Sequence, residues 1–260
     1  MESLEELAAQ ICHAFTCGGV ISRSLSSEIH SIADAYAVQN RVADLIDSRR
    51  IGWKVGATSK EPQQLLGTAE PATAPMFGST CLQSPAKVAI FPNQDCSVEA
   101  EFAFRFIRNL PPRQLNYQMD EVLDSVDVLI PSIEIVGCRF QNGFANLGAI
   151  RLIADMTAHT AFVAGPNILE WRDLDLRSSR VSLYRNDKLI VTGMGANVLE
   201  GPLSVLEWTV NHLSRRGETL RKGEIVTTGT CTGITAVNPG DNIEAVFENL
   251  GSVELDLIPH

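Results

Sequence analysis

The sequence predicts an α+β chain: a mixed β sheet or roll behind an N-terminal helical segment. Three observations carry this. Helical periodicity fills the first fifth of the chain and then returns only in isolated slots. Strand patterns dominate from residue 86 onward. Those strands come in consecutive runs and do not alternate strictly with helices, which disfavours a doubly wound fold.

Leu4, Leu7, Ala8 and Ile11 recur at helical spacing in SLEELAAQICHAFT, and Gly18-Gly19 ends that helix. Ser26 or Ser27 is the expected cap of a second helix, SEIHSIADAYAVQNRVADLIDSRR, with Ile29, Ile32, Tyr36, Val42 and Ile46 on or near one stripe. Residues 1–50 therefore read as a helical segment and 51–260 as one catalytic unit. IGWKVGAT reads as a strand entering a turn, and KEPQQLLG as a short helix stopped by Gly67. Residues 68–85, rich in Pro, Thr, Ala and Ser, read as a long loop of the kind that serves as a lid. KVAIF, SVEAEFAFRFI and VLIPSIEIVGCRF are strands, with DEVLDSVD a helix before the last of them. THTAFVAG, EIVTTGT and NIEAVFENLGSVELDLI supply further strands, and Asn186-Asp187 turns a hairpin between VSLYR and KLIVTG. PLSVLEWTVNHLSRRG is a helix with Pro202 in its first turn and Gly217 at its end.

The 260 residues are 45% hydrophobic and 20% charged, ordinary for a soluble globular protein that needs no disulfide or structural metal for its core. A net charge of −10 repels phosphate backbones, so no nucleic-acid partner is expected. Cys12, Cys17, Cys81, Cys96, Cys138 and Cys231 are scattered without a C-x-x-C pair, as for free thiols in a reducing cytosol. The acidic N-terminus MESLEELAAQ lacks the apolar core of a secretory signal, and no run of about 18 apolar residues suggests a membrane span. A cytoplasmic protein with no membrane partner is expected.

The chemistry begins with VEAEFAF. Read with a period of two, Val98, Ala100, Phe102 and Phe104 share one strand face, and Glu99 and Glu101 share the other. A solvated face would explain the two carboxylates. So would a hard cation, because Glu134 alternates with Ile133 and Ile135 in PSIEIVG and supplies a third carboxylate on another half-buried strand. Lys54 lies between Trp53 and Val55 in an apolar strand, where loss of hydration lowers a lysine pKa and makes an acid/base, unless the amine snorkels to water. TTGTCTG packs hydroxyls between glycines, either as a plain strand-end turn or as a close approach to a ligand carboxylate. Of the five histidines, only His159 stands in a strand pattern as a site candidate.

GWKVGATSK, VEAEFAF, PSIEIVG, RLIADMTAHTAFVAGP, WRDLDL, LEWTVNHLSRRGETLRKGEIVTTGTCTG and GDNIEAVFENLGSV follow one another in order. This set resembles the 2-hydroxypenta-2,4-dienoate (2-keto-4-pentenoate) hydratases. With the 4-oxalocrotonate decarboxylases they form a branch of the fumarylacetoacetate hydrolase superfamily. The resemblance implies a mixed β-roll of the fumarylacetoacetate hydrolase C-terminal domain type and a Mg²⁺ or Mn²⁺ cofactor. It implies Glu99, Glu101 and Glu134 as metal ligands, Lys54 as acid/base or substrate contact, and Thr228, Gly229 and Thr230 beside the substrate carboxylate. It implies a 2-oxo or 2-enol acid substrate, hydration of a 2-hydroxy-2,4-dienoate in aromatic-compound catabolism, and assembly into a homo-oligomer. A decarboxylase of a 4-oxalocrotonate-type diacid would share the site and need a cation for the distal carboxylate, for which Arg139 and Arg151 are candidates. An acylpyruvate hydrolase would need a base, with His159 the candidate, and Asp155 completes the set of further site residues. Gly137 and Met156 stand where the family often has Asp and Asn, which leaves room for a member that binds a 2-oxo acid without catalysis.

Overall fold

The computed structural model describes residues 2–260. Its helices are α1 (Glu2–Cys17), α2 (Ile32–Leu45), α3 (Lys60–Leu66), α4 (Met119–Leu123), α5 (Gly148–Ala154) and α6 (Pro202–Arg215). Its strands are β1 (Arg50–Gly56), β2 (Ala72–Phe77), β3 (Cys81–Gln83), β4 (Ala86–Ile90), β5 (Asp95–Phe106), β6 (Val126–Cys138) and β7 (His159–Ala164). They continue as β8 (Arg180–Arg185), β9 (Lys188–Met194), β10 (Ile225–Thr230), β11 (Thr235–Ala236), β12 (Asn242–Phe247) and β13 (Gly251–Pro259). One mixed sheet runs β2-β1-β10-β5-β6-β7-β3, with β11 also on β5, and a second runs β4-β13-β12-β8-β9. The two sheets and the N-terminal helices make the expected α+β roll.

The long β5–β6 pair is the spine. It runs antiparallel from Asp95 opposite Cys138 to Phe106 opposite Val126. The period-two reading of β5 holds: Val98, Ala100, Phe102 and Phe104 join Ile133 and Ile135 in the apolar layer that also takes Ile243, Phe247, Val253 and Leu255 of the second sheet. The opposite face is covered as well. Met76, Ala103, Val128, Ile130 and Phe162 close part of it. A second core closes the rest, in which Leu7 and Ile11 of α1 and Val38 and Val42 of α2 meet Leu152 and Ile153 of α5 and Val136 of β6. The carboxylates therefore sit on a strand face that is buried, and the solvated-face reading falls.

Several local expectations need correction. The second helix starts at Ile32, capped by Ser31, whose hydroxyl accepts from Asp34 N–H while the Asp34 carboxylate accepts from Ser31 N–H. Ser26 closes a preceding 3₁₀ turn instead, and the chain becomes β1 at Arg50. Residues 72–77 of the expected loop are the buried strand β2, antiparallel to β1 from Arg50 opposite Phe77 to Gly56 opposite Ala72. Its Ala, Thr and Pro mimic loop composition, but small side chains fit beneath the helices, and Pro75 is tolerated because β2 is an edge strand. GAIRLIA, read without structure in the sequence, is α5. β3 also falls inside the expected loop, the helix read over DEVLDSVD ends at Leu123 before β6, and β11 adds a short strand after β10. The Asn186-Asp187 turn stands as read, its residues at φ of 53° and 61°.

Candidate active site

Pairing of β5 with β6 places Glu99 directly opposite Glu134, and Glu101 follows on the same face. Carboxylate oxygens of Glu99, Glu101 and Glu134 lie within 4.8 Å of one another. Lys54 enters from β1, two strands away across β10. Its Nζ is 3.1 Å from Glu134 Oε2 and 4.0 Å from Glu99 Oε2, and the residue is 1% exposed. It does not snorkel. Burial alone would push its pKa down, but Glu134, Glu99 and Glu101 push it up further, so the net shift is upward, against the sequence expectation.

Glu99 and Glu101 shift the same way. Burial lifts Glu99 to about 7, with Lys54 opposing and Glu134 reinforcing. Burial, then Glu134 and Glu99, drive Glu101 well above the carboxylate range. One lysine does not neutralise three acids. Glu101 Oε2 accepts the Gly229 N–H at 3.0 Å, while Glu101 Oε1 is buried without a hydrogen-bond partner. An unpartnered buried oxygen facing two more carboxylates suits a hard divalent cation, which would relieve their repulsion. The donor set therefore fits the metal that the sequence suggested.

Gly229 makes this contact because it has no side chain. Its φ is +91°, and a Cβ there would lie 1.8 Å from Thr58 Oγ1. Strand alternation then turns Thr228 away, its hydroxyl donating to Phe102 O at 3.0 Å. Thr228 is thus a structural residue. Thr227, which the sequence reading passed over, faces the site: its Oγ1 accepts from Val55 N–H at 3.1 Å, and its hydroxyl works to lower the Glu101 pKa.

His159 backs the centre. Its Nδ1 lies 2.9 Å from Glu134 Oε1 and its Nε2 3.1 Å from Thr80 Oγ1. Burial pushes the imidazole pKa down, so a neutral ring donates from Nδ1 to the glutamate and fixes its orientation. Arg139 and Asp155 form a separate buried ion pair, Nη1 to Oδ1 at 2.9 Å, and the guanidinium also donates to His159 O. The Arg151 Nε donates to Ser26 Oγ at 2.7 Å. These contacts correct the expectation that Arg139 or Arg151 meets a substrate carboxylate: both are spent on the framework.

Lys54 and Glu99 form the floor of a cavity of about 180 Å³, walled by Leu65 and Leu66 of α3, Phe144, Leu152 of α5 and Ile234. A second space of about 270 Å³ adjoins it and brings in Thr58, Gly229 and Thr230. Neither Arg139, Asp155 nor His159 lines either space. Met156, Thr157 and Ala158 all have φ near +50° to +60°, and this left-handed turn carries Thr157 and Ala158 to the cavity wall. Gly137 has a physical reason here: a Cβ would stand 2.7 Å from Thr160 Oγ1.

A two-sheet roll with three converging glutamates and a buried lysine defines a carboxylate centre whose donor set fits a hard divalent cation. The fumarylacetoacetate (FAA) hydrolase C-terminal family model matches residues 49–258, and the chain belongs to that family. It is 32% identical to a 2-keto-4-pentenoate hydratase of Paraburkholderia xenovorans, over 97% of this chain and 94% of that one. It is 31% identical to a 4-oxalocrotonate decarboxylase of Pseudomonas putida, over 86% and 84% of the two chains. The solved 4-oxalocrotonate decarboxylase of Pseudomonas putida G7, complexed with magnesium and adipate, superposes with a TM-score of 0.88 at 27% identity, covering 99% of this chain and 98% of that one.

Proposed function

We propose that this protein is a divalent-metal-dependent hydro-lyase that hydrates a 2-hydroxy-2,4-dienoate, as a 2-keto-4-pentenoate hydratase does. The observation that carries it is the placement of Lys54: among the described residues it is the one basic side chain lining the cavity, and it shares that lining with Glu99. Glu99, Glu101 and Glu134 would hold the cation, Mg²⁺ or Mn²⁺, which when bound acts as a Lewis acid for the substrate's 1-carboxylate and 2-oxygen. Lys54 delivers a proton to the far carbon of the dienol, and the enol proton, released to water, restores the ammonium. Water then adds across the conjugated double bond, its hydroxyl to C4 and its proton to C3. His159 keeps Glu134 oriented, and the Gly229 N–H keeps Glu101 oriented. Thr230 lies at the adjoining space within reach of a substrate carboxylate.

Decarboxylation of a 2-oxo diacid is the second reading, favoured by the TM-score of 0.88 to the decarboxylase. Hydrolysis of an acylpyruvate is less well served, because His159 is sealed between Glu134 and Thr80. A homo-oligomer is part of the same proposal, sedimentation its check. Among the described residues, no helix is long and apolar enough to cross a membrane.

The test follows freshly generated 2-hydroxypenta-2,4-dienoate by ultraviolet absorbance, with Mg²⁺ and with chelator. The expected result is metal-dependent loss of the dienol and appearance of 4-hydroxy-2-oxopentanoate. No loss with Mg²⁺ present rejects the hydratase reading.

A pH dependence follows from Glu99. Its folded pKa lies at about 7, above its ordinary value, so its protonated form stabilises the fold. That stability is complete below the unfolded pKa and is lost as pH rises through about 7. The metal-free protein should therefore lose Tm between pH 5 and pH 8, and Mg²⁺ should raise Tm more at pH 8, where protons no longer compete. Scanning calorimetry at both pH values, with Mg²⁺ and with chelator, checks this. An equal or smaller Mg²⁺ effect at pH 8 would remove Glu99 from the cation site.

A further inference from the structure

We propose that this enzyme selects 2-oxo and 2-hydroxydienoic acids with an uncharged, alkyl-bearing distal end and rejects diacids. This rests on the reading of the cavity as a 2-oxo-acid site. The chemistry is concentrated at one end. Lys54 and Glu99 are the charged groups lining the 180 Å³ cavity, and the walls beyond them are Leu65, Leu66, Phe144, Leu152 and Ile234. The adjoining space adds one further charge, Glu61, and it is negative. The two candidate arginines face elsewhere: Arg139 pairs with buried Asp155, and Arg151 binds Ser26 and Leu147 O. A substrate whose head group lies at Lys54 and Glu99 therefore sends its tail along leucine, phenylalanine and isoleucine.

The consequence for recognition is asymmetric. Each methylene placed against such a wall improves binding by roughly fourfold. A second carboxylate loses its hydration and meets either an apolar wall or Glu61, with no cation to offset it. Leu65 and Ile234, at 77% and 61% exposure, form the rim and can be changed without touching the core.

Calorimetric titration of the Mg²⁺-loaded protein with 2-oxopentanoate, 2-oxohexanoate, 2-oxoheptanoate and 2-oxohexanedioate tests this apart from turnover. Affinity should rise roughly fourfold per methylene along the first three. The diacid should bind at least about 10-fold more weakly than 2-oxohexanoate. Ile234→Arg should tighten the diacid about fivefold relative to 2-oxohexanoate. If the diacid binds as tightly as 2-oxohexanoate, the selectivity is wrong and the hydratase reading is untouched. If the order holds but no dienol is hydrated, the selectivity stands and the hydratase reading falls. If none of the four acids binds, both fall.

Discussion

Glu101→Gln is expected to abolish metal-dependent turnover and, at the same time, to make the metal-free protein more stable. Both effects have one origin. The Glu101 carboxylate is buried, repelled by Glu134 and Glu99, and half unpartnered. Glutamine has the same shape, and its carbonyl can still accept the Gly229 N–H, but it brings no charge. Removing one of three crowded acids should stabilise the metal-free fold by about 1 kcal/mol, the size of a typical single stabilising substitution. Cation affinity should fall roughly 100-fold or more, since even groups that only support a metal ligand cost 10- to 100-fold. Isothermal titration with Mn²⁺ and thermal melts in chelator read the two halves separately. A variant that binds Mn²⁺ like the parent overturns the ligand assignment. A variant that binds poorly and also melts earlier in chelator shows that Glu101 is a structural acid and that the crowding is relieved some other way.

Lys54→Met is the second large effect, and it should separate catalysis from binding. The methionine fills the buried stem but carries no proton. Turnover should fall about 10²- to 10⁴-fold, the usual worth of a positioned acid/base. Cation affinity should hold or improve, because a positive charge 3.1 Å from Glu134 is gone. Without metal, the variant leaves buried acids uncompensated, a loss of about 3–5 kcal/mol when one partner of a buried pair is removed. Its melting temperature should therefore depend on Mg²⁺ far more steeply than the parent's. Measured together, kcat and the Mg²⁺ dependence of Tm distinguish a proton carrier from a charge that only holds the site. A variant whose chief defect is weak metal binding would assign Lys54 the second role.

Much of the centre is legible in the sequence because a strand has a period of two. That period puts Glu99 and Glu101 on one face of β5 and Glu134 between two isoleucines of β6. What periodicity cannot state is how two strands slide against each other. The register that sets Glu99 against Glu134 is a tertiary fact. The same limit explains why Thr228, expected beside the substrate carboxylate, turns away while Gly229 and Thr230 line the site. In a run of hydroxyls nothing marks which residues face in, and the β10–β5 register itself shifts between Thr227 and Thr230. The assignment follows from Gly229, whose missing side chain fixes the phase of the strand. His159 looked like an isolated histidine because its partner is 25 residues earlier, across the β6–β7 pair and next to a bulge. β2 and α5 were missed for a different reason. Small or mixed residues carry a weak pattern, and what makes them regular is the helical layer packed above.

Gln39 lies at 0% exposure in α2, and its amide donates at once to Thr73 O on β2, at 2.9 Å, and to Ile153 O at the end of α5, at 2.8 Å. Thr157, in the left-handed turn of the cavity wall, donates to the same Thr73 carbonyl. One amide group thus bolts a helix that precedes the family match to the elements that carry the cavity wall. Fraying of α2 would therefore break hydrogen bonds that hold that wall. The family match begins at residue 49, so the contacts through Gln39 tie the matched stretch to a helix that lies before it.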